Sequence, residues 1–132
     1  MGRLFAAVLE RRGDDVFALD ADPARSGREP DGPVDAAVVC AAGAGRDAVD
    51  AVEPGGTVLV FADGGDVPLG LVYRRELTLL GSRSATPGAM LEAAKLLPEL
   101  EVPQPTVLPL ERFEEGLALH RSRRALKVVF TP

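Results

Sequence analysis

The sequence predicts an α/β fold with a mostly parallel sheet, and three observations predict it. Helix-like and strand-like segments alternate along the chain. The strand-like runs are apolar without polar alternation, as strands covered on both faces are. Clusters of Gly, Pro and Asp separate the runs, and 132 residues is the size of one domain.

The elements can be justified in order. Leu4, Phe5, Val8 and Leu9 share one side of a helix that Gly13 ends. Residues 16–19, Val-Phe-Ala-Leu, suit a short buried parallel strand. Asp20-Ala21-Asp22-Pro23 supplies a capping Asp with Pro at the first helical position, so a helix starts there. Ser26, Gly27, Pro30, Gly32 and Pro33 cut it short. A second buried strand covers 34–40, a short helix covers 46–52, and Glu53-Pro54-Gly55-Gly56 turns into a strand over 57–61.

A helical turn over 71–75 then leads to a strand over 76–80. Thr86 caps a helix with Pro87 at its first position and Met90, Ala93, Ala94 and Leu97 on one face. Pro98, Pro103, Pro105 and Pro109 make the following stretch extended, with a short edge strand over 106–108. Phe113, Leu117 and His120 share a face of the last helix, and Arg121, Arg123 and Arg124 suit its negative C-terminal end. A strand over 125–130 closes the chain.

Composition narrows the function classes. Fifteen Lys and Arg against twenty Asp and Glu give a net charge of −5, which repels a phosphate backbone, and aromatics are scarce at 5%. No nucleic acid partner is expected. The longest apolar stretch, 36–42, is far shorter than the roughly 20 residues of a membrane span, so no membrane association is expected either. The single cysteine, Cys40, forms no internal disulfide and fits a reducing, cytoplasmic compartment.

Several pieces carry more than local structure. Met1-Gly2 opens a helix, Asp20 ends the next strand, and Val-Glu-Pro-Gly-Gly-Thr-Val-Leu-Val occupies 52–60. Arg-Glu-Leu-Thr-Leu-Leu-Gly-Ser follows at 75–82, then Thr86-Pro87, then Pro109-Leu110-Glu111 leading to Leu126-Lys127-Val128-Val129. In this order and spacing they resemble, over nearly the whole chain, the C-terminal cofactor-binding portion of a medium-chain, zinc-type alcohol dehydrogenase. The resemblance implies an incomplete Rossmann-like three-layer domain over 1–104, and a C-terminal helix and strand over 105–132 that pack on the family's catalytic domain.

Where the family has a three-glycine fingerprint after a central strand, Gly2 matches the third glycine. The first two glycines and the central first strand are expected to be missing. Losing one strand leaves a gap of about 10 Å, which the neighbouring strands must close by pairing directly or another chain must fill. The interval from Asp20 to Asp35 is also too short for the family's third strand and helix. Cys40 and His120 match no zinc ligand, so no zinc site is expected, and both read as core or boundary residues.

The resemblance implies NAD as cofactor and assigns residues to it. Asp20 takes the adenosine ribose hydroxyls, or serves only as a capping residue. Arg25 lies where the family often has a basic residue near that ribose, or is a solvated helix residue. Ala42 and Gly43 after one strand, and Phe61 and Ala62 after another, line the nicotinamide half or simply make tight turns. Ser82 and Arg83 match the segment near the carboxamide, and Lys127 matches a basic residue that contacts pyrophosphate in some members.

Three functions follow. The first is an oxidoreductase-like module, inactive as this isolated chain, that in a complete form takes a small-molecule alcohol substrate. The second is a non-enzymatic assembly fragment or pseudoenzyme, a homodimer through the edge strand over 76–80. The third is an S-adenosylmethionine methyltransferase-like domain, which shares the acidic residue after its second strand and a Pro-Gly-Gly turn but fits the ending over 110–129 poorly.

Overall fold

The computed structural model describes every residue from Met1 to Pro132. The chain divides into two compact units, Met1–Leu100 and Glu101–Pro132.

The first unit contains helix α1 (Gly2–Arg12), strand β1 (Val34–Val39), helix α2 (Gly45–Ala51), strand β2 (Val52–Val60), helix α3 (Leu69–Arg74), strand β3 (Thr78–Gly81) and helix α4 (Pro87–Leu96). The three strands form one sheet in the order β1-β2-β3, and both pairings are parallel. Parallel neighbours need crossovers, which α2 and α3 provide. Val39, Val49, Val52 and Val58 are fully buried and Leu77 nearly so, giving a core of β-branched side chains between the sheet and α2.

Local chemistry fixes the helix ends. Gly13 takes a left-handed conformation at φ 89°, its N–H donates to Glu10 O, and Asp14 N–H donates to Leu9 O, which satisfies the last carbonyls of α1. Thr86 accepts from Ala89 N–H at 3.2 Å with Pro87 following, as the sequence predicts. The Pro54-Gly55-Gly56 turn survives as an irregularity inside β2, where the register jumps from Val34↔Val52 to Ala36↔Thr57. Gly55 sits at φ 83°, and a Cβ on Gly56 would fall 2.6 Å from Asp35 O.

In the first unit four expectations need correction. Residues 16–19 join no ladder, because an apolar run becomes a strand only where a neighbour takes its backbone groups. They are held instead by the following loop, where Gly27 N–H donates to Ala18 O at 2.7 Å. The two strands flanking the expected gap therefore do not close it by pairing: β1 pairs only with β2. The helix expected after Asp20 is a single 3₁₀ turn, Pro23–Arg25, capped by Asp22 rather than Asp20.

The third correction concerns the edge strand over 76–80. It begins at Thr78, because Glu76 has φ 54° and ends the α3 turn, with Leu77 N–H donating to Val72 O. The fourth concerns α4, whose expected buried face is exposed: Met90 is 63% and Leu97 51% accessible, and Ala93 and Ala94 are exposed as well.

The second unit is a two-stranded parallel sheet, β4 (Thr106–Pro109) with β5 (Val128–Thr131), covered on one face by α5 (Phe113–Arg121). The α5 helix approaches closely because Gly116 has no side chain: a Cβ there would lie 2.5 Å from the Phe130 ring. The last strand starts at Val128 rather than at 125, since Arg123 at φ 57° turns the chain and Ala125 N–H donates to Leu119 O. His120 is exposed on α5 rather than core or boundary.

Candidate functional site

The carboxyl ends of β1, β2 and β3 gather the features of a site in the first unit, as open parallel sheets do. After β1 the chain turns through Ala42 and Gly43; after β2 it turns through Phe61, Ala62, Asp63 and Gly64. Both Phe61 N–H and Ala62 N–H donate to Val39 O, at 3.1 and 3.0 Å. Gly43 N–H donates to Asp63 O at 3.0 Å and Gly45 N–H to Gly64 O at 2.8 Å, so the two turns are laced together by backbone alone.

The approach depends on glycine. A Cβ on Gly45 would meet Gly64 O at 2.6 Å, and one on Gly65, at φ 64°, would meet Gly43 Cα at 3.2 Å. Asp63 fixes its own turn, its Oδ1 accepting from Gly65 N–H at 3.1 Å. On the other flank Ser82 N–H donates to Val60 O at 3.0 Å and continues the β2–β3 pairing past Gly81.

Between these ends lies an open pocket of about 520 Å³. Its apolar wall comes from Val60, Phe61 and Ala62, its other side from Gly81 and Ser82, and its rim carries Asp63 and Arg83. The start of α1 reaches the same end of the sheet. A Cβ on Gly2 would lie 3.7 Å from Cys40 Cβ, and the rings of Phe5 and Phe61 meet edge to face at 5.1 Å. Burial pushes the Cys40 thiol above its ordinary pKa, with the N-terminal ammonium opposing in part.

The structure thus brings Gly2, Ala42, Gly43, Phe61, Ala62, Ser82 and Arg83 to one end of the sheet. Asp20 and Arg25 belong to a separate turn. Asp20 Oδ1 accepts from Asp22 N–H at 2.9 Å, Asp20 N–H donates to Ser26 Oγ, and Arg25 pairs with Asp22 at 3.3 Å. Arg25 is therefore committed to a neighbouring carboxylate. Lys127 lies in the second unit, where it lines a groove of about 230 Å³ with His120, Phe113 and Phe130.

Asp63, Gly45 and Gly64 are the residues that sequence reasoning missed. The signal was present, because Asp-Gly-Gly stands at 63–65, shortly after a strand. What the sequence does not display is that two separate turns meet, which makes Asp63 part of a pocket rim.

A dinucleotide fits these residues in part. The β2–β3 pocket has the apolar wall and polar rim that suit a nicotinamide ring, and the Asp20 carboxylate is of the type that accepts from a ribose hydroxyl. Of the three glycines that the resemblance expects around a pyrophosphate, the chain has Gly2, at the start of an eleven-residue helix. No group of three His, Cys, Asp or Glu side chains converges in a way that could hold a metal ion.

No protein-family model and no curated protein matches the chain. Solved structures do. An NAD-dependent alcohol dehydrogenase is 26% identical with a TM-score of 0.61, over 76% of this chain and 32% of its own. The alcohol dehydrogenase of the hyperthermophilic archaeon Aeropyrum pernix is 18% identical with a TM-score of 0.62, over 76% and 31%. A protein named AibC is 25% identical with a TM-score of 0.62, over 76% and 33%. The chain spans about a third of the length of the structures it matches, and its α/β fold is similar to that part of an alcohol dehydrogenase.

Proposed function

We propose that this chain is the cofactor-side module of an alcohol-dehydrogenase-like oxidoreductase that uses NAD. The observation that carries the reading is the pocket at the carboxyl ends of β2 and β3, in a fold similar to that of an NAD-dependent alcohol dehydrogenase. NAD supplies a hydride acceptor when bound. The chain's own part is to seat the ring against Val60 and Phe61 and to offer Asp20 to the ribose.

Asp20 favours NAD over NADP, since a carboxylate accepts from hydroxyls and repels a 2′-phosphate. Arg25 does not reverse this, because it pairs with Asp22. These 132 residues alone bind NAD weakly, with a dissociation constant on the order of millimolar, and oxidise no alcohol. One glycine of the pyrophosphate turn gives a loose grip. The protein acts in the cytoplasm as a homodimer.

Calorimetry and amide-resolved NMR with NAD and NADP, together with an alcohol-oxidation assay, test this. NAD is expected to shift the amides of Asp20 and Ser26 at lower concentration than NADP, with no turnover. Tighter binding of NADP would overturn the ribose assignment, and low-micromolar binding of NAD or measurable oxidation would overturn the weak-module reading.

A second reading, an assembly fragment, draws on exposed apolar residues beside the open edge of the sheet. Leu80 on β3 is 51% accessible, and Leu69 and Tyr73 are exposed one turn apart on α3. This reading keeps the dimer and drops the cofactor, so the same titrations separate the two.

A further inference from the structure

The chain contains two Asp-Gly pairs, Asp31-Gly32 and Asp63-Gly64, and no asparagine. An Asp followed by Gly is able to close on itself, because without a Cβ on the next residue its nitrogen can swing onto the Asp side-chain carbon. Both carboxylates are exposed, so access to solvent does not separate the pairs. Their backbones do.

Asp63 is tied on every side. Its Oδ1 accepts from Gly65 N–H at 3.1 Å, its main-chain carbonyl accepts from Gly43 N–H at 3.0 Å, and the Gly64 carbonyl accepts from Gly45 N–H at 2.8 Å. Gly64 itself is buried. For the Gly64 nitrogen to meet Asp63 Cγ, the side chain must rotate off Gly65 and the peptide between them must turn against two backbone bonds. Asp31 and Gly32 are both exposed, in a bend ahead of β1, with no hydrogen bond or ion pair on either residue. A Cβ on Gly32 would meet nothing within 4 Å, so there is room for that peptide to rotate.

We propose that Asp31, and not Asp63, is the residue at which the folded chain rearranges to isoaspartate. The Gly32 nitrogen attacks Cγ of the protonated Asp31 carboxyl and gives up its proton. The N–Cγ bond forms, the bond from Cγ to the hydroxyl oxygen breaks, and the hydroxyl leaves with a proton as water. The cyclic imide then takes one water back. Opening at Cγ restores aspartate; opening at the main-chain carbonyl carbon routes the chain through Cβ and frees the α-carboxylate. Nothing is oxidised or reduced, and the mass is unchanged. The rerouted backbone lies before Val34, the first residue of β1 to pair, so the sheet is expected to survive the change.

The test is incubation of the 132-residue chain in warm, mildly acidic buffer, folded and in urea, followed by peptide mapping. The peptide bearing Asp31 is expected to split into two chromatographic peaks of equal mass. Without asparagine in the chain, every isoaspartate found comes from an aspartate. In the folded chain, rearrangement at Asp63 is expected to be roughly tenfold slower or more, since three hydrogen bonds must open first. In urea the two rates are expected to converge. Gly32→Ala places its methyl in open space and is expected to slow Asp31 several-fold without moving the thermal midpoint. No rearrangement at Asp31, equal rates at the two pairs in the folded chain, or a faster rate at Asp63 would overturn the assignment. So would an Asp31 rate unchanged by Gly32→Ala. A rate difference that persists in urea would overturn it as well, because the difference would then belong to the local sequence and not to the fold.

Discussion

Gly45 N–H donates to Gly64 O at 2.8 Å, and a Cβ on Gly45 would stand 2.6 Å from that same oxygen and 2.9 Å from Val67 Cγ2. The hydrogen bond and the missing side chain are one device, since the carbonyl reaches the amide only because nothing occupies the space between them. Gly45→Ala forces the turn after β2 outward. The expected cost is about 1–3 kcal/mol of unfolding free energy, as for other overpacked sites. Urea unfolding measures it; a cost below measurement error would mean that the two turns are not held against each other.

Arg75 ties the far end of the sheet together. Its Nη1 donates to Val49 O at 2.9 Å and Asp50 O at 3.3 Å, placing a cation on the C-terminal carbonyls of α2, and its own carbonyl accepts from Gly55 N–H at 2.8 Å. Arg75→Met keeps the aliphatic stem and the backbone bond but leaves those carbonyls without their cation. A loss of about 1 kcal/mol is expected, measured as a lower denaturation midpoint with an unchanged m-value.

What the sequence made legible divides along physical lines. Thr86-Pro87 and the glycine that ends α1 act within one turn of chain, so the residues alone specify the geometry, and the structure has both. The run over 34–40 also reads correctly, because β2 is there to pair with it. The equally apolar run over 16–19 looks the same in sequence and forms no ladder, since a strand needs a neighbour that no local pattern reports. Met90 and Leu97 show the same limit: helical spacing gives a face, and only tertiary packing decides whether anything covers it. In the site, turn-forming residues after each strand were readable one by one, while the meeting of Gly43 with Asp63 was not.

Cys40 should behave as a quiet thiol. Burial disfavours its thiolate and raises its pKa, and the nearby N-terminal ammonium offsets only part of that. Iodoacetamide at pH 7.5 is expected to alkylate the folded chain several-fold more slowly than the urea-unfolded chain. The folded pKa lies above the unfolded value of about 8.5. The linked stability is therefore fully present below that value and is lost as pH rises through the folded one. Faster alkylation of the folded state would show a thiolate that the surroundings stabilise.

The homodimer we propose pairs through β3, and the direction of that strand's backbone groups is what supports it. Ser82 N–H donates to Val60 O on β2, and alternate residues of a parallel strand face the same neighbour, so Leu80 and Thr78 also turn toward β2. The backbone groups of Leu79 and Gly81 then point outward, where the three-stranded sheet ends. An edge with open donors and acceptors beside an exposed Leu80 is the surface on which we expect a second copy to pair about a two-fold axis. Leu80→Lys leaves those backbone groups in place but brings two like charges together across the axis. Light scattering is expected to give a dimer for the wild-type chain and a monomer for the variant, with thermal midpoints within a few degrees once the dimer contribution is removed by dilution. A wild-type chain that stays monomeric at high micromolar concentration would count decisively against β3 as the contact.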